Sequence, residues 1–103
     1  MKRIIEKKVY DTETATMVAT TSFGQSNDFK SFAETLYRTA KGNYFLQYRG
    51  GPLSKYAVDE GTEGKRGDSD IIVLSDDQAF EWLVSAKESE LAAELFPDKI
   101  TEA

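Results

Sequence analysis

Two sets of side chains in this 103-residue chain could do chemistry, and they carry opposite charge. The first lies in residues 34–57, where Tyr37, Arg38, Lys41, Tyr44, Tyr48, Arg49, Lys55 and Tyr56 interleave rings with cations. Rings stack on bases and cations neutralise phosphates, so the set suits single-stranded nucleic acid. It also suits short-range anchoring of a protein partner, for which Tyr48, Arg49, Lys55 and Tyr56 are the best placed. The bland alternative is ordinary sheet residues, with Arg38 lying over Tyr44 as a cation–π pair.

The second set is acidic: Asp76, Asp77, Glu81, Glu88, Glu90 and Glu94, followed by Asp98 and Glu102. Residues 75–103 hold eight acidic and two basic residues, a sum of −6, whereas residues 1–74 hold ten and eleven, a sum of +1. The whole excess of negative charge therefore sits in the C-terminal quarter. Such a surface attracts a basic partner and speeds encounter, or it is simply a solvated helix face.

Catalysis finds little material. With no histidine and no cysteine, the commonest proton shuttle, the commonest neutral metal ligand and the thiolate nucleophile are missing, as is any disulfide. Asp59, Glu60, Glu63, Asp68 and Asp70 could gather a hard cation through oxygen, but lysines and arginines interrupt them and the spacing is not that of an EF-hand loop. GTEGKRGDS, residues 61–69, lacks P-loop spacing. No catalytic residue, metal ligand or cofactor is expected.

The elements that must position these groups form one domain over residues 1–103, a common size for a single core. Arg3 to Ile5 and Lys8 to Tyr10 read as extended pieces around a Glu6-Lys7 corner, one edge of a sheet. Asp11 or Thr12 before ETATMVAT suggests a short helix, against which the threonines count. SFGQSND, residues 22–28, reads as a loop, and Asp28 as the cap of a helical turn through Phe29 and Phe32. A strand from about Ala33 and its partner after Ala40-Lys41-Gly42 fit a three-residue hairpin loop closed by Gly42 in the left-handed conformation. Counting outward pairs Arg38 with Tyr44, Leu36 with Leu46 and Glu34 with Tyr48 on the core face. Tyr37 with Phe45, Thr35 with Gln47 and Ala33 with Arg49 fall on the other, where Tyr37 and Phe45 suit a second covered face equally well.

Gly50 to Ala57 ends that strand, and residues 58–69 read as the most loop-like segment present. Asp70 to Leu74 is a β-branched run suited to burial on both faces. Ser75-Asp76-Asp77-Gln78 is a capping box, and Phe80, Leu83, Val84, Leu91 and Leu95 repeat at helical spacing with Trp82 at the margin. Ser89 suggests a second cap. The expected fold is α+β: a small antiparallel sheet of three to five strands with a C-terminal helical region packed on one face. No apolar run approaches membrane-spanning length, the N-terminus lacks the apolar core of a signal peptide, and cytoplasm is the expected compartment.

KKVYDTETA (residues 7–15), ETLYRTAKGNYFL (34–46), GGPLSKYA (50–57) and IIVLSDDQAFEWL (71–83) together resemble a family of small, mostly uncharacterised bacterial proteins associated with phages, plasmids and other mobile elements. Element-borne families of this kind include inhibitors of host defence, notably anti-CRISPR proteins. The resemblance implies a non-enzymatic protein-binding inhibitor in the host cell. Its partner would be a host defence complex, a CRISPR effector whose basic nucleic-acid-binding surface is blocked. It carries over no site residues. The alternative is a nucleic-acid-binding accessory or regulatory protein acting through the hairpin at residues 34–57. Two tyrosine-bearing strand faces also leave room for a homodimer.

Overall fold

Alternating polarity and a sharp turn build the centre of the molecule. The computed structural model describes residues 1–25, 28–59, 61 and 64–103. Strand β4 (Phe32–Arg38) pairs antiparallel with β5 (Tyr44–Gly50) in the register read from the sequence: Arg38 opposite Tyr44, Leu36 opposite Leu46, Glu34 opposite Tyr48. The turn fixes it. Gly42 sits at φ +85°, its amide bonds Thr39 O at 2.9 Å, and Thr39 N donates to Asn43 O at 2.8 Å.

Flanking strands complete a four-stranded antiparallel sheet in the order β3-β4-β5-β8, with β3 spanning Thr16–Phe23 and β8 spanning Asp68–Leu74. The short helix expected from Glu13 to Thr20 is replaced by β3. Its β-branched residues find a ladder against β4, which outweighs a single capping signal. A bulge between Met17 and Ala19 adjusts its register. Ser22 and Phe23, read as loop, end this strand, whereas Ser26 and Asn27 lie outside the described residues. No helical turn follows Asp28. Its carboxylate instead accepts the amide of Lys30 at 2.9 Å in a tight turn, and Phe32 opens β4.

The N-terminal pieces, β1 (Lys2–Ile5) and β2 (Lys8–Asp11), form a separate hairpin rather than an edge of the main sheet. Glu6 and Lys7 both take positive φ, the two-residue turn whose twist matches the strands. This hairpin covers the second sheet face, where Tyr10 meets fully buried Phe45 edge-on at 5.6 Å, beside Ile71. Both faces of β4-β5 are thus covered. The segment read as loop at 58–69 contains a two-residue ladder, β6 (Val58–Asp59) with β7 (Lys65–Arg66), and the first two residues of β8, with Glu60, Thr62 and Glu63 outside the described residues. Being an edge strand, β8 is not buried on both faces: Ile72 is 42% exposed.

Helix α1 (Asp76–Ser85) starts with the full capping box: Ser75 Oγ accepts the Gln78 amide at 3.1 Å and Gln78 Oε1 accepts the Ser75 amide at 2.8 Å. It stops where Lys87 turns left-handed at φ +61°, with Lys87 N bonding Val84 O and Glu88 N bonding Leu83 O. Helix α2 (Ser89–Leu95) follows with Glu88, not Ser89, at its cap, and without a side-chain cap bond. The buried stripe is Ala79, Leu83, Ala92 and Phe96 against Leu36, Tyr44 and Leu46; Val84, expected on the sheet, is 44% exposed. Leu36 and Leu83 are fully buried, each contributing about 1.5–3 kcal/mol. The fold is α+β, with the helical pair on one sheet face. No helix among the described residues is long and apolar enough to cross a membrane.

Candidate functional site

After β5 the chain cannot continue a ladder, and GGPLSKYA folds back over the sheet. Its anchors are backbone bonds: Gly51 N to Ser31 O and Leu53 N to Phe29 O, both 2.8 Å. Gly51 permits this approach, since a Cβ there would sit 2.6 Å from Phe29 O. Ser54 Oγ then donates to Gly51 O and accepts the Tyr56 amide, turning the next two side chains inward.

Lys55 and Tyr56 are thereby delivered to the Glu34 carboxylate. Lys55 Nζ lies 2.9 Å from Glu34 Oε2, and the Tyr56 hydroxyl donates to the same oxygen. From the opposite side Trp82 Nε1 donates to Oε1 at 3.0 Å. Glu34 is the one buried charged side chain among the described residues, 5% exposed. Burial alone would raise its carboxyl, but the bonds from Tyr56, Lys55 and Trp82 outweigh that and hold it below its ordinary value of 4.5. The Tyr56 phenol moves the other way: burial and the adjacent carboxylate push it well above its usual range. One helix, one strand and one loop are therefore pinned by a single ionised carboxylate.

Aromatic rings surround the clamp. Tyr56 stacks on Tyr48 at 4.0 Å between centroids and meets Phe32 edge-on at 6.0 Å, while Lys55 Nζ lies 4.7 Å from the Phe32 centroid. The Tyr48 hydroxyl donates to Asp68 at 3.4 Å. Burial, then the charges of Asp68 and Asp70, raise the Tyr48 phenol. Beside the clamp, between α1 and the end of β3, opens a groove of about 670 Å³, walled by Phe23, Phe32 and Trp82 and rimmed by Asp77 and Glu81.

Of the acidic residues singled out in sequence, Asp76, Asp77, Glu81, Glu90 and Glu94 are exposed on the two helices and Glu88 is half-buried. Asp76 and Asp77 suit the positive end of α1. Among the described residues only Asp77 of this set is ion-paired, to Lys99. The structure brings Asp77 and Glu81 to the same groove as Lys55, so the acidic helix and the hairpin exit meet at one place. It does not bring in Arg49, which borders a different hollow beside Ala33 and Gly50. Tyr48 and Tyr56, expected as exposed anchors, are half-buried and committed to each other. Arg38 lies 5.9 Å over the Tyr44 ring.

Glu34 and Trp82 were missed as site residues. The signal existed: the register set Glu34 on the core face, and a marginal tryptophan there needs an acceptor for its N–H. Of the candidate cation set, Asp59 accepts the Gly61 amide at 2.8 Å and Asp70 pairs with Arg3 at 3.3 Å, while Glu60 and Glu63 lie outside the described residues. No group of three or more metal-capable side chains occurs among the described residues. Compared with protein-family models, curated proteins and solved structures, the chain matches none.

Proposed function

We propose that this protein acts by binding another protein without turnover, docking the acidic α1–α2 side onto a basic surface of its partner. The carrying observation is the set of exposed carboxylates on the two helices: Asp76, Glu81, Glu90 and Glu94 have no ion-pair partner among the described residues. Unpaired charge on a rigid surface attracts the opposite charge at long range and sets which partners are accepted. The clamp supports a role without catalysis. A carboxylate held ionised and already accepting three donors is a poor proton acceptor, and Tyr56, kept protonated, is a poor nucleophile.

The motif resemblance gives this partner its class: a host defence complex, with the basic nucleic-acid path of a CRISPR effector as the surface to be occupied. The alternative, nucleic-acid binding through residues 34–57, loses support because its rings and two of its four cations are engaged internally. Tyr48 stacks on Tyr56, Lys55 bonds Glu34, and Arg38 covers Tyr44.

Binding of the purified protein to CRISPR effector complexes at low salt, followed through a salt titration, tests the proposal. Association that weakens with salt and is lost on combined reversal of Glu81, Glu88 and Glu94 to lysine is the expected result. Undetectable association at low salt, or binding unchanged by that reversal, would show the acidic surface is not the interface. A gel shift with single-stranded DNA or RNA would instead revive the hairpin reading.

A further inference from the structure

The outer edge of β3 is unguarded. Among the described residues β3 pairs within its sheet with β4 alone, and no other described strand or backbone bond takes up the amides and carbonyls of its other side. Proteins ordinarily blunt such edges with charge or proline. The opposite edge, β8, carries Asp68 and Asp70, the latter bridged by Arg3. β3 carries neither charge nor proline, only the bulge after Met17. It lies in the longest charge-free run of the chain, fourteen residues from 14 to 27, where the next longest has seven, residues 42–48.

Two hollows flank this edge on the helix side. One is the groove beside Thr21, Ser22 and Phe23, where Asp77 is paired to Lys99 and Glu34 to Lys55, so that among its described carboxylates Glu81 carries the unpaired charge. The other, about 350 Å³, adjoins Thr16 and Met17 and is walled by Val18, Leu91 and Leu95. Glu94 and Arg38 also border it, Arg38 being held over Tyr44. Along the ladder, Thr21 faces Glu34 and Thr16 faces Arg38, four positions apart on β4. That is about 13 Å at the strand rise, the distance between side chains i and i+4 on one face of an added strand.

From this geometry we infer that β3 accepts an extended segment of the partner protein as a fifth strand. A lysine or arginine of that segment enters the Asp77–Glu81 groove, and an aliphatic side chain four residues away enters the second hollow. The inference rests on the protein-binding reading above and gives the partner's segment its chemistry. Main-chain bonds supply affinity in such additions, and alternate side chains in pockets supply specificity. Charge selects a basic segment over a second copy of this chain, because pairing two β3 edges would gather the Glu81 and Glu94 carboxylates of both copies along one sheet face.

The test uses the ¹⁵N-labelled protein and the peptide Ac-TRTVTLT-NH2 at low salt. Shifts and slowed amide exchange along residues 16–23 are expected, with at least tenfold weaker binding for the peptide N-methylated at alternate amides and for its arginine-to-glutamate version. Ser22→Lys, with an unchanged circular dichroism spectrum, is expected to weaken binding to a similar degree. Shifts confined to α1 and α2, or equal binding of the N-methylated peptide, would overturn strand addition and leave the acidic-surface reading standing. No shift anywhere, together with no association to a basic partner, would overturn both. Protection of β3 amides without peptide, with a sedimentation mass of two chains that grows with salt, would assign the edge to a second copy instead.

Discussion

Replacing Glu34 by alanine removes the acceptor that ties β4 to α1 and to the loop of residues 50–57. The magnitude follows from what is left behind. Trp82 Nε1 and the Tyr56 hydroxyl each lose a carboxylate partner, and both residues are only partly buried, so water compensates in part. Taking the lower half of the cost of an orphaned donor gives about 1–2 kcal/mol each, about 2–4 kcal/mol in all. The Lys55 bridge adds about 0–1 kcal/mol, its ammonium being largely in solvent. Glu34→Gln keeps an acceptor oxygen and should cost about 1 kcal/mol. Urea unfolding read by fluorescence suits the measurement, because Trp82 is the single tryptophan and sits in the clamp. Because the folded carboxyl lies below its ordinary value of 4.5, its contribution is present above that pH and fades as pH falls through the folded value. The gap between wild type and Glu34→Gln should therefore narrow in acid. An alanine cost under about 1 kcal/mol, or strictly additive effects of Glu34→Gln and Trp82→Phe, would refute the clamp.

Four further substitutions test the frame around it. Leu36→Ala, at a fully buried position between sheet and helices, should cost about 2–5 kcal/mol in urea unfolding. Gly51→Ala drives a Cβ to 2.6 Å from Phe29 O and should cost about 1–3 kcal/mol, with a shifted Trp82 emission as Lys55 and Tyr56 are displaced. Ser75→Ala breaks the capping box and should cost about 1 kcal/mol, seen as a lower thermal midpoint. Lys87→Gly relieves a non-glycine residue at φ +61° in the helix stop and should raise the midpoint, a gain of about 0.5–1 kcal/mol.

What was legible in the sequence was local. Ala40-Lys41-Gly42 dictated a turn, the turn dictated the register, and the register placed Leu36 and Leu46 in the core, all as observed. The capping box after Leu74 was equally readable. What failed depended on contacts between distant residues. Thr16–Phe23 carries propensities for strand and signals for a helix start in one stretch, and only pairing with β4 decides between them. The N-terminal hairpin looked like a sheet edge because nothing local says which face of another sheet it will cover. At the site, each of Glu34, Lys55, Tyr56 and Trp82 was visible singly. Their convergence needs the return of residues 50–57 and a helix 48 residues downstream of Glu34.

A buried carboxylate whose cation lies largely in solvent is a weak source of stability, since apolar residues of similar volume often do as well or better. Its presence between the hairpin exit, β4 and α1 therefore argues for alignment over strength. The Glu34 clamp fixes the angle between α1 and the sheet, and that angle sets the width of the groove between Glu81 and Phe23. It equally fixes the height of the acidic helix above the β3 edge, because Glu34 faces Thr21 across the ladder. A partner strand that must bond β3 while seating a cation between Asp77 and Glu81 needs both distances held before it arrives, so that little is lost on ordering the site. On this reasoning the nearly fully buried carboxylate, itself in the wall of that groove, is what makes the exposed ones usable together.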